Sequence, residues 1–392
     1  MAKRDELRDA QRAIVAALSQ HAAYNYRASS AVVNRINEEI DRLARELTAA
    51  LADRLESLTD AEMQAFLSGK YTTSRLKAMR AEIDAWGKAL DEAIRSEWDK
   101  SALALAGYEA AYAADVMHKA LDGLPEHKPK PESVMRKAVQ TPIMGYLVSD
   151  MVGGLAPTQR DRVYAAIRQG VAAGQANSEI IRALRGTPAL RYQDGLMQAA
   201  KRDVERLVRT ARNHISNAAY EDTYAALGVT HVVWVATLEG RTCQTCAAMD
   251  GKVFKTGEAH RTPPVHPNCR CVLAPSFDDE LVGNRPYVRA LKVRKRDGSN
   301  EFRSIGNMTK KQREAAGLEV GQVNAKTTFS SWFKGQDAAF QKEWLGPSRY
   351  RLYKQGGLDL ERFVDPQSGT QYSLEELRRR DAETFKAVFG ET

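Results

Sequence analysis

The sequence predicts a predominantly helical α+β fold. Apolar side chains recur at three- and four-residue steps over most of the first 120 residues, and a β-branched, aromatic run at His231 to Thr237 breaks that pattern just before all four cysteines. With 392 residues, 43% of them hydrophobic, the chain can build two or three domains with real cores.

In the front region, Val33, Ile36, Ile40, Leu43, Leu47, Leu51, Leu55 and Leu58 form a stripe along one helix face. Thr59-Asp60-Ala61-Glu62 has the spacing of a capping box, and a second stripe follows through Leu76, Met79, Ile83, Trp86, Leu90, Ile94 and Trp98. The economical reading is a hairpin of two long amphipathic helices, its stripes serving as bundle core or docking on another protein's helices. Between Gly123 and Pro131 three prolines remove backbone donors and fix φ, which predicts a linker. Helices resume over Thr158 to Ala173, over Asn177 to Leu184 before Gly186 and Pro188, and from Gln193 to Leu227 before Gly228.

The run from His231 to Thr237 reads as a buried strand, and Asp250-Gly251 as a tight turn into a short returning strand at Lys252-Val253-Phe254. A second turn at Asp297-Gly298 would join Tyr287 to Arg296 with Glu301 to Ile305 as a basic hairpin. Helical stripes return with Phe340, Trp344 and Leu345, then Leu374, Leu377, Phe385 and Val388. The domain organisation expected is a long-helix region (1–122), a helical domain (132–228), a cysteine and histidine α+β module (229–284), and a basic hairpin with a helical tail (285–392).

The charged start and the lack of any apolar run near membrane-spanning length argue for a soluble protein of a reducing cytoplasm, with no membrane contact. The formal charge of +8 is concentrated: Arg285 to Arg313 holds ten basic residues against two acids, an excess equal to that of the whole chain. That segment is the expected contact for a polyanion, through Arg289, Lys292, Arg294, Lys295, Arg296 and Arg303. The alternative is a solvated basic surface or a contact with acidic protein residues. Only Tyr287 and Phe302 interleave with these charges, so base stacking is not indicated.

The chemistry concentrates in Cys243-Gln-Thr-Cys246, followed after nineteen residues by His266-Pro-Asn-Cys269-Arg-Cys271. A C-x-x-C turn aims two thiolates at one ion, and a second donor group brought alongside completes a tetrahedral site suited to a structural zinc. Five donors compete for four places: the four cysteines, or His266 in exchange for Cys269 or Cys271. The set with His266 is favoured because Pro263, Pro264 and Pro267 stiffen its approach. His260 lies nearby in sequence but is not placed in the set. Two disulfides are the competing reading. A redox C-x-x-C lacks its surrounding βαβ pattern, and a thiolate-rich closed site leaves no water position for catalysis. On the helix before the module, Arg209, Arg212 and Asn213 share a face, beside Thr210 and His214; the stripe either docks on the module or a partner, or is solvated.

These residues resemble the Mu F-like head morphogenesis family of tailed phages. The similarity begins with Arg162-Val-Tyr-Ala-Ala-Ile-Arg168, Gly170-Val171 and Gly174, and continues from Val208 to Ala219. It is strongest through Trp234, Arg241-Thr242-Cys243, Cys246, Asp250-Gly251, Pro264, His266 to Cys271 and Pro275. Ser331-Trp332-Phe333, Leu345-Gly346-Pro347, Arg349 and Leu374 to Leu377 resemble the tail that follows the module, whereas residues 1 to about 140 match nothing. The resemblance implies a non-catalytic minor head protein of the virion. Such a protein associates with the portal and other head proteins at the portal vertex, is assembled in the host cytoplasm, and in some relatives accompanies or binds packaged or ejected DNA. The rival expectation is an enzyme, either a metal-dependent nuclease or a toxin-like transferase carried in the head. His266 and Asn268 resemble part of a nuclease finger, but no Gly-rich phosphate loop or nucleophile elbow is present. A regulatory zinc finger ranks last, because Pro275 ends any recognition helix before it starts.

Overall fold

Fifty-five consecutive residues without glycine or proline form the first helix, α1 (Ala2–Glu56), about 80 Å long at 1.5 Å per residue. The computed structural model describes residues 2–126, 128–190, 192–258, 260–277, 284–289, 292–294, 300–302, 311, 319–324, 326–366 and 368–390. The fold is a predominantly helical α+β arrangement, as the periodicity predicts.

A short α2 (Asp60–Leu67) turns the chain into α3 (Ser74–Ala120). The capping box is present: Glu62 N–H donates to the Thr59 hydroxyl at 3.3 Å, and Thr59 N–H to the Glu62 carboxylate at 2.9 Å. The same carboxylate accepts from Thr73 Oγ1 at 2.7 Å and Arg75 Nε at 3.1 Å, so one side chain joins the start of α2 to the start of α3. Both predicted stripes are buried against each other, apart from Leu58 at the rim.

After the proline-rich break come α4 (Pro131–Gln140), α5 (Val148–Gly153), α6 (Leu155–Ala172), α7 (Asn177–Arg185) and α8 (Leu196–Ala226). The last three start or end within three residues of the sequence expectation; α5 is too short to leave a periodic signal. Gly170 has a clear reason: a Cβ there would lie 2.5 Å from Ile180 Cγ1, so only glycine lets α6 and α7 approach this closely. One apolar core runs continuously from α1 and α3 through α4, α6, α7 and α8.

Beyond α8, three antiparallel strands form a small sheet in the order β3-β1-β4, where β1 is His231–Val235, β3 Val253–Lys255 and β4 Val272–Ser276. Val232 pairs with Phe254 on one side and Pro275 on the other. The turn at Gly251 adopts φ 83°, which glycine reaches without strain. A second core joins Ile14, Val15 and Leu18 of α1 and Tyr220 and Tyr224 of α8 to Trp234, Leu273 and the buried cysteines.

The predicted strand from Tyr287 to Arg296 is divided. β5 (Asn284–Arg289) pairs in parallel with β2 (Leu238–Glu239) and antiparallel with β8 (Glu319–Asn324), while β6 (Lys292–Arg294) forms the hairpin with β7 (Asn300–Phe302). The split arises because β5 is claimed by the module's own β2, a parallel contact that no local turn signal announces. A third core seats α10 (Phe329–Lys334), α11 (Ala338–Leu345), α12 (Pro347–Lys354), α13 (Leu374–Arg380) and α14 (Ala382–Phe389) on Leu238 and Ala247 of the module. Of the expected apolar positions here, Phe340, Leu345, Leu377 and Val388 are buried but Leu374 is exposed.

Candidate metal centre

Cys243 caps the short helix α9 (Gln244–Met249): its Sγ accepts the Cys246 N–H at 3.3 Å, as a serine oxygen would. The C-x-x-C turn therefore folds as a helix start that aims both sulfurs the same way. Opposite it, the loop from His266 to Cys271 is held by α8. The Asn268 N–H donates to Thr210 Oγ1 at 2.9 Å. The amides of Asn213 and Asn217 donate to the Cys271 carbonyl at 3.2 and 3.3 Å, and Leu273 N–H donates to Asn217 Oδ1 at 3.0 Å. Asn268 itself sits at φ 61°, a left-handed conformation that asparagine tolerates better than most residues.

The polar stripe on α8 is thus a docking face, with Thr210 and Asn217 doing as much as Asn213. Among the residues expected there, His214 turns elsewhere: its Nε2 meets the Ala138 carbonyl at 2.8 Å, and burial lowers its pKa.

All four cysteines are free thiols. Cys246 is the hinge of two groups whose donor atoms lie within 4.8 Å of one another, one with Cys243 and His266 and the other with Cys269 and Cys271. Cys246 Sγ stands 3.2 Å from His266 Nε2 and 3.7 Å from Cys269 Sγ. Sulfurs bound at about 2.3 Å to one tetrahedral zinc lie about 3.7 Å apart, so the pair fits that ion. His266 Nδ1 meets the Pro267 carbonyl at 2.8 Å, a contact that would keep a proton on Nδ1 and leave Nε2, which faces the sulfurs, as the atom to bind an ion in place of its proton. His260 is in neither group; its ring stacks on Phe254 at 5.1 Å.

Electrostatics mark the cluster as one proton-sharing unit. Hydrogen bonds from Cys246 and then His266 hold the Cys243 thiol down at about 5. Burial opposes charge on His266, but the Cys243 and Cys269 sulfurs outweigh it and raise its pKa to about 10. Burial likewise opposes the Cys269 thiolate, yet hydrogen bonds from Cys246, Cys271 and His266 bring it well below an ordinary thiol. Cys246, through its bond to Cys243, and Cys271, through burial, move the other way. Two thiolates beside a cationic imidazole are the negative, soft donor set that a divalent ion would replace protons on.

A second polar knot, which the sequence does not announce, lies behind the centre. Asp250, read from sequence as a turn residue, and Arg285, counted there among the basic residues, form a fully buried ion pair with Nη1 to Oδ2 at 2.8 Å and Nη2 to Oδ1 at 2.9 Å. The carboxylate also accepts the N–H of Ala236 at 2.7 Å and of Phe329 at 2.6 Å. Arg285 is therefore unavailable to a polyanion. Of the other expected polyanion contacts, Arg289 lies in β5 and Lys292 and Arg294 in β6, whereas Lys295, Arg296 and Arg303 lie outside the described residues.

The tail closes over the C-x-x-C turn. Trp344 Nε1 donates to the Thr242 carbonyl at 2.9 Å, and Thr245 Oγ1 to the Gly369 carbonyl at 2.7 Å. No curated protein and no solved structure matches the chain. Residues 161–274, from α6 through the His266–Cys271 loop into β4, match the family described as Phage Mu protein F like protein. Over residues 161–274 the chain is therefore similar to the phage Mu protein F like family, and the match includes the cysteine block that carries the resemblance.

Proposed function

We propose that this chain is a minor head protein of a tailed phage, a structural component that acts in head assembly at the portal vertex. The observation that carries the reading is the family match over 161–274, which spans every candidate ligand and the helix that positions them. A structural zinc is held by four of Cys243, Cys246, His266, Cys269 and Cys271. Three of the sulfurs, on Cys246, Cys269 and Cys271, belong to residues no more than 2% exposed, which supports a closed site that organises the fold over an open one that turns over substrate. The long α1–α3 hairpin supplies the reach for contacts with portal and other head proteins. The basic segment around β6 and β7 faces double-stranded DNA without sequence preference, through phosphate neutralisation that weakens as salt rises. The protein resides in the virion head and is assembled in the host cytoplasm.

The test has two parts. Metal analysis of purified chain should give one zinc per molecule, lost in Cys246→Ala, and mass spectrometry of purified particles should find the chain. Metal-free protein would remove the zinc, and absence from particles would remove the head role. Metal-dependent nicking of DNA that is abolished by His266→Ala would replace the structural reading with an enzymatic one.

A further inference from the structure

Between α1, α8 and the loop of the metal centre lies a crevice of about 20 Å3, lined among others by Asn25, Tyr26, Arg209, Arg212, Asn213 and Arg270. That is room for one water-sized particle. Three guanidiniums meet there, two from α8 and one from the loop of the candidate metal centre, and no carboxylate lines it. Arg209 lies 4.0 Å and Arg270 5.3 Å from the centre of the Tyr26 ring, with Arg241 at 5.9 Å.

The surrounding acids are already engaged. Glu205 pairs with Arg209 at 2.7 Å, and Glu239 is shared by Arg270 at 2.6 Å and Arg241 at 2.8 Å. Glu109, the next carboxylate inward, accepts from Tyr220 at 2.6 Å and Asn25 at 2.5 Å and meets His21 at 3.1 Å. The Arg212 guanidinium has no hydrogen bond or ion pair among the described residues, and the Nε atoms of Arg209, Arg212 and Arg270 are buried without an acceptor. Burial lowers the Arg212 pKa, a sign of what its charge costs there. A guanidinium that has no hydrogen-bond acceptor in such a place, and feels only the longer-range charge of Glu109, calls for a counter-ion.

We propose that this crevice binds a single small monoatomic anion of the chloride type, and that the ion ties the front helix to α8 and the metal centre. The volume selects a halide over a tetrahedral oxyanion, and the donors come from guanidinium and amide N–H groups. Ion pairs at such a joint weaken with ionic strength through screening, whereas an occupied site is strengthened by its own anion at constant ionic strength.

The experiment follows thermal unfolding of the full, metal-loaded chain at fixed ionic strength while chloride or bromide replaces gluconate. The expected result is a saturable rise in Tm with either halide, absent in Arg212→Met that keeps the wild-type circular dichroism. Crystals grown in bromide should show an anomalous peak within hydrogen-bond reach of the three guanidiniums, which settles the matter even if Arg212→Met does not fold. No halide-dependent shift and no peak means water alone fills the crevice and overturns the proposal. An equal shift in wild type and variant, or a larger shift with inorganic phosphate than with halide, overturns it as well.

Discussion

Replacing Asp250 by alanine should nearly unfold the protein, although Asp250 touches no candidate metal ligand through its side chain. Its carboxylate accepts four hydrogen bonds, from two nitrogens of Arg285 and from the N–H groups of Ala236 and Phe329, and both charged side chains are at most 1% exposed. Stranding the buried guanidinium costs about 3–5 kcal/mol, and each backbone N–H left without an acceptor adds about 1–3 kcal/mol. Such neighbouring losses overlap, so a total of about 4–6 kcal/mol is expected, against a usual stability of about 5–15 kcal/mol for a domain. Arg285→Met should cost less, about 3 kcal/mol, because Asp250 keeps its two backbone donors. The double variant Asp250→Leu with Arg285→Met should cost less than the sum of the single changes, since no charge is stranded, yet should not recover wild-type stability while two N–H groups lack acceptors. Urea midpoints read at unchanged slope give all three values. A loss below about 1 kcal/mol for Asp250→Ala, or full additivity in the double variant, would refute the assignment of this pair as the joint between module and tail.

Three further outcomes follow from the structure. Backbone and side-chain hydrogen bonds from Thr59, Thr73 and Arg75 lower the Glu62 pKa from 4.5 to about 2. Its stabilising effect is therefore fully present above about pH 4.5 and is lost as pH falls through 2; the difference in denaturation midpoint between wild type and Glu62→Gln should shrink over that window, and a constant difference would contradict it. Asn217→Ala removes the acceptor for Leu273 N–H and a donor to the Cys271 carbonyl, for an expected loss of about 1–3 kcal/mol together with faster metal release to a chelator, whereas unchanged release would mean that α8 does not brace the loop. Leu51→Ala, at a fully buried position of the α1 stripe, should cost about 2–5 kcal/mol without changing metal content, as followed by denaturation and metal analysis in parallel.

The helical hairpin was legible because periodicity is a local property: Val33 to Leu55 and Leu76 to Trp98 need only their own spacing to declare a buried face, and Thr59 with Glu62 needs only three residues to declare a cap. The clustering of the candidate ligands was legible for a related reason, since C-x-x-C and H-x-x-C-x-C each bring donors together within one turn. Which donors share an ion depends on how α9 meets the loop after His266, and spacing along the chain carries no such distance.

Contacts between segments far apart in sequence were decided by packing alone. Asp250 reads as half of a turn and Arg285 as one basic residue in a run of them, and only the meeting of β1, β5 and α10 makes them a buried pair. The β5 strand leaves its expected hairpin because β2, 49 residues earlier at Leu238 to Tyr287, offers it an edge. Three arginines of unrelated segments converge on Tyr26 for the same reason. Hydrophobic periodicity and metal-ligand spacing are written residue by residue, whereas the partner of a buried charge is chosen by the surface that desolvates it, and that surface exists only after the helices and sheets have packed.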